Sequence, residues 1–567
     1  MMKRLLLLLI SVVISVATNA DGIGKNEALM KAQRLMPGKR FVAADADAMA
    51  PSVPAKLKGK SQPYYIFNAV DGGFVIVSGD DRATDILGYS YQGHLDTAAM
   101  PANLRWWLQG YAREIEELEA MSLAAEQAED KPAVTPIAPM IMTQWNQNEP
   151  YNSWCPDGSY VDYYEDGYNA ANRCFAGCVA TTMAQLMYYW QWPATCGALD
   201  SYEVDEHTIK GLPATTFKWD LMQNTYSRTA SGDAVDAVAE LMRYCGQAIQ
   251  MGYGVDNSSG SVSAELMAST FQYSPNCCRL YRDNYTAIRW ASIIYRELAA
   301  HRPVVYRGDS DTSAHLFLID GCDASGLVHI NWGWSGSYDG YFSLSAANPG
   351  ANRSYKYNQA AFINLQPAVP GEKIRPAMQC CIDDSEETFL HYRSESATLG
   401  GTVVAQYTLE PDATQNAEIG WALYQGDTFV KVLSSKAVTI SAEQQDHFLN
   451  NSSVIFDETV PAGNYLLCQI YRFEGETEWL LCHPYRDYAY MLVLELTDTY
   501  FYTRPYNMLT DGITTIGYQA AENGGRNGAE SVGNSAGTGS WYNLQGIQVP
   551  QPRKGLFIKD GRSILVP

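Results

Sequence analysis

Cys178 stands in the run Ala176-Gly177-Cys178-Val179-Ala180-Thr181-Thr182, ahead of Met183-Ala184-Gln185-Leu186-Met187-Tyr188-Tyr189-Trp190. Val179, Met183, Leu186, Met187 and Trp190 recur at the spacing of one helix face. Gly177 breaks the chain just before them, so the thiol is predicted in the first turn of a helix. Unpaired N–H groups and the macrodipole favour an anion there, which predicts a lowered thiol pKa and a cysteine nucleophile. Taken alone, the segment also reads as a buried structural cysteine or half of a disulfide with Cys174.

Downstream residues supply what such a nucleophile needs. His315 lies in Ala314-His315-Leu316-Phe317-Leu318-Ile319-Asp320-Gly321, an apolar strand-like run. A turn, Asp323-Ala324-Ser325-Gly326, leads to a second run, Leu327-Val328-His329-Ile330-Asn331-Trp332. A hairpin closed there brings Asn331 back toward the His315 strand. Acyl transfer requires a thiolate to attack a carbonyl carbon and an imidazole to pair with it and protonate the leaving amine. A side-chain amide then orients the imidazole. Trp332, beside Asn331, is placed to shield that hydrogen bond from water. His329 reads as a satisfied core histidine. The order Cys, His, Asn and their separations suit a papain-like cysteine protease.

Three runs resemble the streptopain family of papain-like secreted cysteine peptidases, which includes the Bacteroidetes interpain and periodontain type. They are Thr143-Gln144-Trp145-Asn146-Gln147-Asn148-Glu149-Pro150-Tyr151-Asn152, Gly177-Cys178-Val179-Ala180-Thr181 and Asn331-Trp332-Gly333-Trp334-Ser335-Gly336. The resemblance spans roughly 64 to 365, and several separated motifs in one order make it specific. It implies Cys178 as nucleophile, His315 as its acid/base partner, Asn331 as orienting amide and Trp332 as its cover. It also implies that Gln147 donates to an oxyanion hole beside the Cys178 N–H. Gln144 competes with Gln147 by distance alone, and the family pattern favours Gln147. The loop Gly252-Tyr253-Gly254 with Ser258-Ser259-Gly260-Ser261 resembles a cleft-lining segment, with Ser261 at the substrate-binding position. Read from its residues alone, this is a Gly/Ser loop before a helix starting near Val262. Ala314 replaces a glycine of the family pattern, which bears on the substrate pocket more than on the chemistry.

The expected architecture is α+β, with a papain-like catalytic domain of a helical part and an antiparallel β part. Met1-Met2-Lys3-Arg4, an apolar stretch from Leu5 to Val16 and Ala17-Thr18-Asn19-Ala20 read as a signal peptide over 1–20, which implies a secreted or cell-surface location. No later stretch is long enough for a transmembrane helix. Residues 21–138 form a leading unit and linker. The hairpin Tyr64-Tyr65-Ile66-Phe67-Asn68 with Phe74-Val75-Ile76-Val77-Ser78 is followed by a helix over about 102–128, with Leu104, Trp107, Leu108, Tyr111, Ile115 and Leu118 on one stripe. Pro132, Pro136 and Pro139 mark the linker. The run Gly72-Gly73-Phe74-Val75-Ile76-Val77-Ser78-Gly79-Asp80 resembles the family prodomain, implying an intramolecular inhibitor released by cleavage; a permanent accessory domain is the alternative. The peptidase domain is expected over 139–366 and a β-sandwich-like domain over 367–500, with an adhesive or spacer role. Residues 501–540 read as a linker, Gly/Asn/Ser-rich from Asn523. Residues 541–567 resemble a C-terminal type IX sorting segment, which implies contact with an outer-membrane secretion machinery.

Forty Lys+Arg against 62 Asp+Glu give a net charge of −22, which argues against nucleic-acid binding because phosphate contacts need clustered cations. Neither CxxC…CxxC nor HExxH occurs, so neither a metal nor a cofactor is expected. Twelve cysteines in an exported chain ordinarily indicate disulfides. Cys155 and Cys174 are placed to brace the loop before the nucleophile. The function expected is that of an endopeptidase proenzyme acting on proteins or peptides. Two alternatives are a transglutaminase-like thiol acyltransferase, which would carry a carboxylate where Asn331 stands, and a surface adhesin with a degenerate peptidase domain.

Overall fold

The computed structural model describes residues 22–44, 62–120, 134–158, 173–204, 207–282, 285, 287–309, 314–346, 359–372, 377–382, 389–406, 414–425, 428–441, 446–485 and 489–506, and four short strands between 541 and 566. The signal-peptide segment and the Asn523–Ser540 linker lie outside these residues, as do Pro132 and the stretch from 121 to 128 of the expected helix.

The leading unit starts with α1 (Lys25–Leu35), which lays Ala28 and Ala32 on the strands that follow. These are β1 (Phe41–Ala43), β2 (Tyr64–Ala69), β3 (Phe74–Ser78) and β4 (Ile86–Ser90). The expected hairpin forms with Tyr64 opposite Ser78 and Ile66 opposite Ile76, around Gly72 and Gly73, both at positive φ. Next comes α2 (Ala102–Ala120), which buries Leu104, Trp107, Leu108, Tyr111 and Ile115, as its sequence stripe required.

The next part is helical at first. It contains α3 (Cys178–Trp190), two small ribbons made of β5 (Thr195–Cys196) with β8 (Thr215–Thr216) and β6 (Tyr202–Val204) with β7 (His207–Ile209), then α4 (Asp233–Ala248) and α5 (Ala264–Ser269). Strand β9 (Cys278–Tyr281) and helix α6 (Ala287–Ala299) precede the antiparallel strands β10 (Val304–Asp309), β11 (Ala314–Cys322), β12 (Val328–Asn331), β13 (Gly340–Phe342) and β14 (Gln359–Ile363). All of these strands except the two ribbons belong to one ten-stranded sheet, in the order β1-β2-β3-β4-β13-β12-β11-β10-β14-β9. The leading unit therefore extends the very sheet that carries His315 and Asn331. The junction pairs Tyr89 with Tyr341 and Gly88 with Phe342. A Cβ at Gly88 would lie 2.7 Å from the Phe342 ring, so the close approach depends on glycine.

The two faces of this sheet are covered differently. Phe317, Ile319, Val328 and Ile330 pack under α2 and α6, together with Trp107 and Trp332. Val305, Leu316, Leu318 and Phe362 pack under α3 and α4. Beyond this part, strands Ala377–Ile382, Gly401–Gln406, Asp446–Leu449 and His483–Pro484 form one sheet. Seven more strands, the longest being Thr428–Ile440, form another. No helix among the described residues is long and apolar enough to cross a membrane.

Candidate active site

Cys178 is the first residue of α3, and Gly177 before it has φ of 87°. A Cβ at Gly177 would lie 2.7 Å from the Met251 side chain and 3.3 Å from Ser258, so glycine meets two demands at once. The loop leading into the helix is fixed by backbone bonds. Ala176 N–H donates to the Gln147 carbonyl at 3.0 Å, and Phe175 N–H donates to the Gly254 carbonyl at 2.9 Å. The Ser258 hydroxyl donates to the Phe175 carbonyl at 2.7 Å and accepts from Gly254 N–H. Gln147 and the Gly252–Gly254 loop, both singled out by sequence, are thus joined directly to the loop that leads into Cys178. Ser261 is exposed, and the short helix expected near Val262 starts at Ala264, capped by Ser263, which accepts from Leu266 N–H. Ala314 opens β11 opposite Asp309.

The electrostatics of Cys178 differ from the expectation. Burial pushes its thiol up, and the amides of Leu316, Val179 and Cys178 with the Arg307 charge only partly oppose this. Desolvation therefore outweighs the amides and the cation, and the thiol lies above its ordinary value even though the side chain is only half-buried. No disulfide forms either: all twelve cysteines are free thiols. Cys155 and Cys174 brace the loop through their backbones, Cys174 N–H bonding the Pro156 carbonyl at 2.8 Å and the Asn152 amide bonding the Cys174 carbonyl at 3.1 Å. Burial drives their thiols to about 12 and about 11.

The hairpin of β11 and β12 closes as expected, with Asp323 accepting from Ser325 and Leu327 N–H at its turn. Its register sets Asn331 opposite Leu318. The Asn331 amide donates to the Thr143 carbonyl at 2.8 Å, and its oxygen accepts from Gln185 Nε2 at 3.2 Å and Gly333 N–H at 3.0 Å. Gln185, which holds Asn331, is the residue of this network that sequence reasoning passed over. Its Oε1 also accepts from Thr143 Oγ1 at 2.8 Å and Trp145 N–H at 3.3 Å. A glutamine on the apolar side of a helix, two turns from the nucleophile, was the available signal.

Strand alternation divides the set. Leu316, whose amide reaches the sulfur, and Leu318 face α3; His315 has the parity of Phe317 and Ile319, which face α2. Trp332 lies on that second face too. Its ring packs on Phe317, Phe342 and Trp107 with centroids 4.7, 5.3 and 6.0 Å apart. The expected shield over an Asn331 bond is therefore, in the precursor, part of the core under the leading unit. Trp106 of α2 lies against Gly308, the residue opposite His315, where a Cβ would come within 2.1 Å of its ring. Asn103 at the start of α2 accepts from Trp334 Nε1 at 3.2 Å and donates to the Trp332 carbonyl at 3.4 Å. The leading unit thus grips the strands that carry His315 and Asn331.

A cysteine at a helix start and a hairpin that carries His315 and Asn331 on opposite faces of the sheet supply the residue types that thiol-dependent acyl transfer uses. Comparison with known proteins agrees. Residues 145–342 match the model of the Peptidase C10 family, and residues 20–115 match that of the Spi protease inhibitor. Streptopain of Streptococcus pyogenes is 31% identical over 322 residues, covering 53% of this chain and 80% of streptopain. The thiol protease/hemagglutinin PrtT of Porphyromonas gingivalis is 33% identical over 334 residues; these cover 54% of this chain but only 37% of PrtT. Among solved structures, prointerpain A of Prevotella intermedia aligns with a TM-score of 0.47 and 26% identity, covering 58% of this chain and 99% of that one. The chain belongs to the Peptidase C10 family of cysteine peptidases, with a leading unit of the Spi protease inhibitor type.

Proposed function

We propose that the chain is the proenzyme of a secreted cysteine endopeptidase in which Cys178 and His315 work as a thiolate–imidazolium pair. The mature enzyme attacks a peptide carbonyl with the Cys178 sulfur. His315 protonates the departing amine, then draws a proton from the water that hydrolyses the thioester. Gln147 and the Cys178 N–H receive the oxyanion, and Asn331 orients His315 with Trp332 covering the bond. The observation that carries this reading is the placing of Cys178 at the start of α3 with Gln147 bonded to the loop before it.

In the precursor, the prodomain acts as the inhibitor by holding Gly308, Trp332 and Trp334 from the far side of the sheet. Its removal releases the strand ends that carry His315, and the imidazole swings to the sulfur. Export rests on the Met1–Ala20 pattern, and passage across an outer membrane on the resemblance of 541–567 to a sorting segment. Proteins and peptides are the substrates.

The test is mass spectrometry of the incubated full chain beside Cys178→Ala. Wild type is expected to process itself and hydrolyse added peptides. The variant should do neither while keeping the circular dichroism of wild type. Hydrolysis by the folded variant would refute the assignment of Cys178.

A further inference from the structure

The sheet carries a cation on the side that faces Cys178. Strand register sets Leu316, Arg307, Ala360 and Tyr281 side by side in one row across β11, β10, β14 and β9. The neighbouring row pairs Leu318 with Val305 approximately alongside it, and Phe362 with Arg279 beyond. Val305, Leu316, Leu318 and Phe362 all face α3, so alternation puts Arg307 and Ala360 on the same side as Cys178. The Leu316 amide and the Arg307 charge both act to lower the Cys178 thiol against its burial. Arg307 and Tyr281 are half-buried at this end of the sheet, and the residue between them is only an alanine. A second guanidinium, Arg279, lies over the Tyr281 and Phe362 rings at 5.3 and 6.0 Å. Two arginines therefore share the nucleophile's face in a chain whose net charge is −22.

We propose that Arg307 is a specificity-determining residue that receives an acidic side chain of the substrate, an Asp or Glu close to the scissile bond. The inference rests on the proposed catalytic reading of Cys178. A guanidinium presents five N–H donors in a planar fork, so it can grip a carboxylate along one edge while another edge is engaged. In a half-buried place that pairing is stronger than in water, and the same charge repels a lysine or arginine of a competing substrate.

The test uses enzyme matured from the full chain and peptides that differ at one position, bearing Glu, Gln or Lys in turn at each residue flanking the cleaved bond. At one such position wild type should favour Glu over Lys about 10- to 100-fold in kcat/KM. Arg307→Gln should erase the order and Arg307→Glu should reverse it. A binding arm repeats the comparison by calorimetry on Cys178→Ala chains matured with an added protease, where the same charge order should appear without chemistry. Equal losses for all three peptides in Arg307→Gln, with a shifted pH profile for thiol alkylation, would overturn the proposal and make Arg307 a group acting only on the sulfur. Charge-ordered binding without hydrolysis by wild type would instead sink the catalytic reading and leave this one standing.

Discussion

At the scale of single residues, the precursor holds the parts of a cysteine peptidase but keeps its sulfur protonated. Desolvation is the largest influence on the Cys178 thiol and raises it, although three backbone amides and a guanidinium act the other way. Of those amides, the Cys178 N–H is the one proposed to stabilise the oxyanion once a substrate carbonyl enters. Gln147 belongs with it, its backbone being tied to Ala176 at 3.0 Å. Gln147→Ala should lower kcat of the mature enzyme about 10²–10³-fold with KM little changed, because the amide acts on charge that develops in the transition state. Steady-state kinetics on a fluorogenic peptide measure this; a rise in KM with kcat intact would assign Gln147 to substrate binding instead. The helix that starts at Cys178, the hairpin that carries His315 and Asn331 and the loop of Gln147 were legible in the sequence because each is a local pattern. Gln185 was not, because its hydrogen bonds to Thr143, Trp145 and Asn331 join segments far apart in the chain. The raised thiol was missed for a similar reason: a helix start is visible in sequence, whereas the burial that overrides its dipole is a tertiary fact.

Among the elements, α2 packs directly on the strands that carry His315 and Asn331. Trp107 donates to the Tyr111 hydroxyl at 2.8 Å and meets the rings of Tyr306, Phe317 and Trp332 edge-on, with centroids 5.9, 5.8 and 6.0 Å away. It connects the prodomain helix to β10, β11 and the residue after β12 in one contact. Trp107→Ala should weaken prodomain docking by about 3–5 kcal/mol, as expected for deleting a buried tryptophan. Limited proteolysis of the Cys178→Ala precursor with and without this change is the measurement. Faster loss of the prodomain is expected, and an unchanged rate would deny α2 its inhibitory hold. The α2 stripe and the β2–β3 hairpin could be read from periodicity alone. Their joining to the catalytic strands through Tyr89 and Tyr341 could not, since short strands such as β13 carry too little pattern to name a partner.

For the whole molecule, the shared sheet makes precursor stability sensitive to pH. Asp339 accepts from Trp332 N–H at 2.9 Å, while its own carbonyl accepts from Ser90 of the prodomain at 2.8 Å. Burial first, with the nearby Asp320 carboxylate adding to it, pushes the Asp339 carboxyl up to about 7; the Trp332 N–H and the His329 charge oppose the rise. The folded chain thus binds a proton that the unfolded chain releases in the ordinary carboxylate range. This contribution is present below that range and is lost as pH rises to about 7. His329 acts in the same direction. Burial lowers its affinity for a proton, but the Asp320 carboxylate at 2.6 Å and Asp339 outweigh burial and raise it, so its contribution fades above its ordinary value. Asp339→Asn keeps an acceptor for Trp332 and has no carboxyl to ionise. Its precursor should match wild type near pH 4 and exceed it near pH 7 by on the order of a few kcal/mol. Thermal melts across that range report the difference; parallel curves would remove Asp339 from the account.

The central claim is that releasing the prodomain converts a protonated Cys178 into a thiolate paired with His315. Its most direct test is the pH dependence of Cys178 alkylation by iodoacetamide in the precursor, the mature enzyme and mature His315→Ala. The account predicts slow labelling of the precursor at neutral pH, fast labelling of the mature enzyme persisting well into acid, and loss of that acidic reactivity in His315→Ala. Identical profiles for the mature enzyme and His315→Ala would contradict it.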